Sequence, residues 1–344
     1  MFKTISFYPR AFCLVAISSG LLLAGCSRKS NMDVTSGQSG VTDTLPGEKM
    51  GLSAVYTKMT FTSDPPQIKA GQTAHWTLRI TDAKTGAPIQ KFLKMHDKLL
   101  HLVVVSRNLS FYDHIHPTYK GNGIFTISYA LPRAGQYRIY ADYVTAAMQH
   151  EVPHHDFDVA GANPLSSQLK FTPDQPHGMW ITKHFRAHDE GKPPLPGATE
   201  YEVAMMPMPS PVHVGDEAML HFEIRNARGK PLTDLQPYMG AMGHAVILSA
   251  DGSVYLHTHP MNDAMAEMMF GTKSSSKPSS MKDDMAAMME VLPPGTRGGP
   301  DIMFHTKFPK PGFYRIWGQF MHANKVITSD YTLFVLPAQP LKGS

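Results

Sequence analysis

Apolar and polar residues alternate in short runs along most of the chain. Tyr56-Thr57-Lys58-Met59-Thr60-Phe61 and His75-Trp76-Thr77-Leu78-Arg79-Ile80 follow period two. That spacing puts every second side chain on one face of a strand. Similar runs recur at Phe125-Thr126-Ile127-Ser128-Tyr129, at Gln136-Tyr137-Arg138-Ile139-Tyr140 and at Phe157-Asp158-Val159. Turn residues punctuate them, as in Lys84-Thr85-Gly86-Ala87-Pro88 and Leu131-Pro132-Arg133-Ala134-Gly135. Short alternating strands between Gly/Pro turns predict an all-β chain of antiparallel sandwiches.

The run order then repeats. Pro211-Val212-His213-Val214-Gly215, Ala218-Met219-Leu220-His221-Phe222-Glu223-Ile224, Arg228-Gly229-Lys230-Pro231, Phe308 to Trp317 and Thr332-Leu333-Phe334-Val335 copy the earlier sequence of elements. An internal repeat of this length predicts two tandem sandwiches, at 54–160 and 198–337, with a connector at 161–197. Met179-Trp180-Ile181-Thr182 and Lys170-Phe171-Thr172 are candidate edge strands within that connector. Its histidines, His177, His184 and His188, have no second copy. The repeated Pro-Gly-x-Tyr-Arg-Ile approach to a late strand predicts a structural tyrosine, Tyr137 or Tyr314, with its hydroxyl bonded locally.

Within each copy stands the same chemistry. His101 is followed thirteen residues later by His114-Ile115-His116-Pro117, and His244 by His257-Thr258-His259-Pro260. The intervening residues differ, yet the histidine spacing holds. Each copy reads as a β-hairpin, and a four-residue loop pairs Val105 with Ser110 or with Tyr112. Either register places His101 opposite His114 or His116, with opposite Cβ atoms roughly 5 Å apart. Metal–imidazole bonds of about 2 Å close that gap. His101, His114 and His116 form one candidate metal triad, and His244, His257 and His259 the other. Met239 and Met242 are softer candidate ligands just before His244, and His96 is the matching neighbour in the first copy. The bland alternative is a polar seam of histidines bonded to carbonyls.

Residues 1–25 predict an export signal. Lys3 and Arg10 precede the apolar stretch Ala11 to Leu23, and Leu23-Ala24-Gly25-Cys26 resembles a lipobox. Cleavage there would leave Cys26 for lipidation and 26–53 as a Ser/Gly/Thr-rich tether. The expected location is the cell envelope, lipid-anchored, at the outer membrane facing the periplasm if the host is Gram-negative. The chain has two cysteines. Cys13 leaves with the signal and Cys26 carries lipid, so no thiol remains for a blue-copper or cysteine–zinc site. Loss of Lys3 and Arg10 lowers the formal net charge from +4 to +2. That balance gives no basis for a nucleic-acid partner.

Eight of the 23 methionines fall between 261 and 290. Met261, Met265, Met268 and Met269 have helical spacing, and Met281, Met285, Met288 and Met289 repeat it. These are either ordinary apolar faces or a Cu(I) collector, since thioethers suit Cu(I) and imidazole suits Cu(II) and zinc.

Two tandem sandwiches with this Gly-turn, histidine hairpin and Pro-Gly-x-Tyr-Arg pattern resemble the cupredoxin-like domains of YtkA-like and FixH-like secreted proteins. The resemblance implies the cupredoxin-like fold and an association with copper handling. Without a cysteine ligand, blue-copper electron transfer does not carry over. The expected function is copper binding, for resistance, storage or delivery, with other envelope metal-handling proteins as partners and zinc a weaker choice. The alternative is a non-metal scaffold or adhesion module. No nucleophile elbow, readable carboxylate pair or phosphate loop accompanies the histidines, so no enzyme activity is expected.

Overall fold

Alternation in the sequence becomes alternation in burial. In the strand Thr73–Asp82, Ala74, Trp76, Leu78 and Ile80 point inward while Thr73, His75 and Arg79 face solvent. The computed structural model describes residues 56–168, 170–193, 200–260 and 291–339. The export signal, the tether, Cys26 and the methionine-rich insertion lie outside the described residues.

The first sandwich contains β1 (Thr57–Asp64), β2 (Thr73–Asp82), β3 (Phe92–Leu93), β4 (His101–Ser106) and β5 (Tyr112–Ile115). It continues with β6 (Thr118–Gly121), β7 (Ile124–Ala130), β8 (Gly135–Thr145), β9 (His150–Glu151) and β10 (His154–Val159). One sheet runs β1-β2-β7-β6 and the other β10-β8-β4-β5, with β3 and β9 added along β8. Trp76, Leu78, Phe125, Tyr137 and Ile139 fill the space between them.

The second sandwich contains β11 (Ile181–Phe185), β12 (Ala187–His188), β13 (Tyr201–Met208), β14 (Glu217–Asn226) and β15 (His244–Ser249). After these come β16 (Tyr255–Thr258), β17 (Asp301–Lys307), β18 (Gly312–His322) and β19 (Lys325–Val335). Its sheets run β11-β13-β14-β17 and β12-β19-β18-β15-β16, around Phe222, Phe304, Tyr314 and Ile316. All named pairings are antiparallel, as expected for sandwiches. The two tyrosines predicted to bond locally do so: Tyr137 Oη donates to Arg133 O at 2.9 Å, and Tyr314 Oη to Lys310 O at 2.8 Å.

Of the two candidate edge strands in the connector, the one at Ile181-Thr182 forms, as part of β11. Ile181–Phe185 pairs with β13, and Ala187–His188 pairs with β19, so this stretch straps both sheets of the second sandwich. A bare β13 edge would expose unpaired backbone groups, and β11 covers it. Lys170-Phe171-Thr172 stays outside the sheets, with Phe171 packed against Phe313.

β4 and β15 break the alternation. Every residue of His101–Ser106 and of His244–Ser249 is buried. A strand buried on both faces needs a second covering layer. Here that layer is the other sandwich: Val103, Val105, Tyr112 and Tyr140 pack against Val246, Leu248, Tyr255 and Trp317 in one apolar cluster. The contact has the form of a two-fold exchange. Tyr112 stacks on Trp317 at 4.6 Å, and Tyr255 packs on Tyr140 at 5.1 Å.

Candidate metal centre

Both hairpins take the same register. Val105 pairs with Tyr112 and Leu102 with Ile115, while Leu248 pairs with Tyr255 and Ala245 with Thr258. Continuing either ladder by one residue sets His101 opposite His116 and His244 opposite His259. Period two then brings the third imidazole, His114 or His257, to the same face. Within each triad, one ligand nitrogen per histidine lies within 4.8 Å of the other two.

The outer nitrogens fix the tautomers. His101 Nε2 donates to Met95 O at 3.0 Å, and His244 Nε2 to Tyr238 O at 2.8 Å. A carbonyl only accepts, so Nδ1 of each ring is left bare. His257 Nδ1 donates to Asp142 Oδ2 at 2.8 Å, and His114 Nδ1 to Gln319 Oε1 at 3.0 Å. The Gln319 amide is oriented by its Nε2, which donates to Thr328 Oγ1 at 3.2 Å. The Nε2 atoms of His114 and His257 are thereby turned inward.

Two bare nitrogens consequently face each other in each copy. His101 Nδ1 lies 3.0 Å from His114 Nε2, and His244 Nδ1 lies 3.3 Å from His257 Nε2. Facing lone pairs repel unless a cation, a proton or a metal ion, lies between them. Separations near these match two imidazoles on one tetrahedral ion with bonds of about 2.0–2.1 Å. The third rings, His116 and His259, carry buried Nε2 atoms with no hydrogen-bond partner.

Burial shapes the electrostatics. It pushes His101 down to about 3 and His96 down to about 4, with the nearby His257 adding to the effect. Burial also places His114, His116, His244 and His259 well below the usual histidine range. Neutral imidazole is the form that binds a metal ion. For Asp142, burial raises the carboxyl, but His150 and His257 outweigh it and hold it well below the usual carboxylate range. His150 Nε2 lies 2.7 Å from Asp142 Oδ1.

The two triads are neighbours. His257 lies 5.2 Å from His101 and 5.3 Å from His114 between ring centroids. Within the first triad the centroid separations are 4.8–5.1 Å. The six rings therefore form one cluster inside the interface.

His96 is placed differently from the sequence expectation. Its position in the chain assigns it to the first triad, but its ring lies 3.7 Å from His259 and 5.6 Å from His244. The cause is the turn Met95-His96-Asp97-Lys98, whose two central residues have φ of 44° and 69°, and which carries His96 to the second triad. Both His96 nitrogens are buried without a partner. Met239 packs with Tyr238, Val326 and Met321, and Met242 packs against the second core, so both serve apolar packing there. The eight methionines between Met261 and Met289 lie outside the described residues. Among the connector histidines, His188 bonds Thr328 Oγ1 at 2.7 Å as a structural group, and His184 is exposed beside Glu202.

Sequence reasoning missed Asp142, Gln319 and His150. An acid inside the apolar run Tyr140-Ala141-Asp142-Tyr143-Val144 was the available signal, since an unpaired buried carboxylate is costly.

Fold and site together define a protein of two β-sandwiches that bury paired histidine triads in their shared interface. The family described as "Domain of unknown function (DUF8832)" matches residues 54–161 and 197–336, and the chain belongs to that family. No curated protein matches the chain. Among solved structures, the Escherichia coli adhesin FdeC is 13% identical, with 82% of this chain and 64% of that one covered and a TM-score of 0.22. Salmonella alpha-2-macroglobulin is 13% identical, with 83% and 15% covered and a TM-score of 0.23. Carbohydrate-binding modules of the β-sandwich superfamily are 13% identical, with 82% and 98% covered and a TM-score of 0.21. The chain thus spans less than two thirds of the adhesin and of the macroglobulin. Scores this low leave the fold assignment resting on the sheets themselves.

Proposed function

We propose that this is a copper-binding protein of the bacterial cell envelope, anchored through lipid on Cys26, in which each histidine triad holds one ion. The observation that carries this reading is the inward set of bare imidazole nitrogens, with outer nitrogens committed to Met95 O, Tyr238 O, Asp142 and Gln319. Outer partners that fix tautomer and ring orientation are a regular feature of metal-binding histidines. An all-imidazole donor set suits copper, zinc or nickel and does not suit calcium or magnesium, which take oxygen. Copper stands ahead of zinc because the methionine-rich stretch 261–290 offers thioethers that only the softer ion uses well. Storage, resistance or delivery to other envelope metal-handling proteins are the matching roles.

A scaffold or adhesion module is the second reading, favoured by the sandwich architecture. It leaves the buried nitrogens of His96, His116 and His259 unpaired for no gain. Each such group costs about 1–3 kcal/mol. Elemental analysis of protein purified from its native envelope tests the choice. Stoichiometric copper supports the metal reading, and the absence of any stoichiometric transition metal supports the scaffold.

A further inference from the structure

The triads are copies, but their surroundings are not. His101 pairs with Asp142 across β4 and β8, and His244 pairs with Gln319 across β15 and β18. Asp142 and Gln319 therefore occupy the same position of the duplicated fold. Each crosses the interface to serve the other sandwich's triad. Asp142 Oδ2 accepts from His257 Nδ1 at 2.8 Å, and Gln319 Oε1 accepts from His114 Nδ1 at 3.0 Å. The tyrosines repeat the exchange, Tyr255 Oη donating to Asp142 Oδ2 and Tyr112 Oη to Gln319 Oε1, both at 3.2 Å. One triad is backed by a carboxylate and the other by a neutral amide.

His96 deepens the asymmetry. Met95–Lys98 and Tyr238–Ala241 are equivalent turns, because Met95 O and Tyr238 O accept from His101 and His244 in the same way. The first turn brings a buried, unpartnered imidazole against the second triad, while the second turn carries Met239 into an apolar cluster.

Charge separates the two sites further. Rings of the two triads approach as closely as rings within one triad, so two bound ions would share one poorly screened interior. Six neutral imidazoles and one carboxylate offset two dications poorly. One divalent and one monovalent ion fit better. A carboxylate hydrogen-bonded to a ligand histidine raises its basicity, and such outer partners are worth about 10–100-fold in metal affinity.

We infer that the six histidines form a single two-ion centre with unequal sites: His244, His257 and His259, backed by Asp142, hold Cu(II), and His101, His114 and His116, backed by Gln319, take the second ion as Cu(I). Because it rests on copper binding at the triads, its test must separate the two claims. Each ion is supplied in its own oxidation state, so no electron transfer is involved.

The experiment titrates purified full-length apoprotein with Cu(II), read by electron paramagnetic resonance, and separately with Cu(I) against a colorimetric chelator without oxygen. One tight Cu(II) per chain is expected, with a second equivalent bound at least about tenfold more weakly. Asp142→Asn should weaken the tight Cu(II) site about 10–100-fold and spare Cu(I) at the other triad. Gln319→Glu gives the reverse test: it keeps the Oε1 acceptor for His114, gives up the Nε2 bond to Thr328, and should create a second tight Cu(II) site. Two equal Cu(II) sites in the wild type, or a Gln319→Glu protein that binds like the wild type, would overturn the unequal centre and leave copper binding standing. A protein that takes up no copper would overturn both.

Discussion

Asp142 and His257 lie 115 positions apart on different sandwiches and meet through a 2.8 Å hydrogen bond, with both side chains almost wholly buried. The same carboxylate takes His150 Nε2 at 2.7 Å on its other oxygen. This one residue thus joins the domain interface to the orientation of a triad. Asp142→Ala would leave His257 Nδ1 without its acceptor in a buried interface. A buried donor left without its acceptor costs about 1–3 kcal/mol. Urea unfolding should show a loss of that size. A loss under about 1 kcal/mol would mean that the interface does not depend on the contact.

Acid should destabilise the metal-free protein. Burial holds His96 at about 4 and His101 at about 3, against an ordinary value of 6.5. As the pH falls below 6.5 the unfolded chain takes up protons that the folded chain refuses. Stability contributed by the neutral rings is complete above that value and is lost as pH falls toward those depressed values. His114, His116, His244 and His259 shift in the same direction and steepen the slope. Unfolding midpoints at about pH 7.5 and about pH 5 should differ strongly. Bound copper should oppose the loss, since the ion binds only the neutral rings.

The residues on either side of 261–290 are tied into the fold. Thr258 Oγ1 donates to His305 O at 2.9 Å, and Leu292 N donates to Gly240 O at 2.8 Å. Replacing the segment by a short Gly/Ser linker should therefore preserve the fold and the triad sites. Cu(I) uptake beyond the triads should fall while Cu(II) binding stays. Equal Cu(I) uptake by the two proteins would assign the methionines to packing.

Lipidation makes a separate prediction. Cys26→Ser should release the protein from the membrane fraction into the soluble fraction of the envelope. Retention of the variant in the membrane would contradict an anchor at this position.

The sequence carried the sandwiches, the duplicated order and the histidine register because these depend on local period and loop length. Pairing of Val105 with Tyr112 is one of the two registers expected from the sequence. Face-to-face packing of the hairpins depends on surfaces far apart in sequence. One sign of it was present: Leu102-Val103-Val104-Val105 and Ala245-Val246-Ile247-Leu248 lack the polar alternation of a one-sided strand. The partners Asp142 and Gln319 were hidden for a related reason. Each serves the other domain, so neither stands near its histidine along the chain. His96 is a similar case, since only the left-handed turn at 96 and 97 shows where its ring goes.

Copper titration of the wild type beside a His257→Ala/His259→Ala variant tests metal binding at the triads most directly. Both substituted rings lie in the interface rather than in either sandwich core, so circular dichroism can confirm that the fold survives. Two ions per chain in the wild type, and loss of the tight one in the variant, is the predicted result. Equal stoichiometry and affinity in the two proteins would contradict it and make the paired histidines a hydrogen-bonded seam between domains.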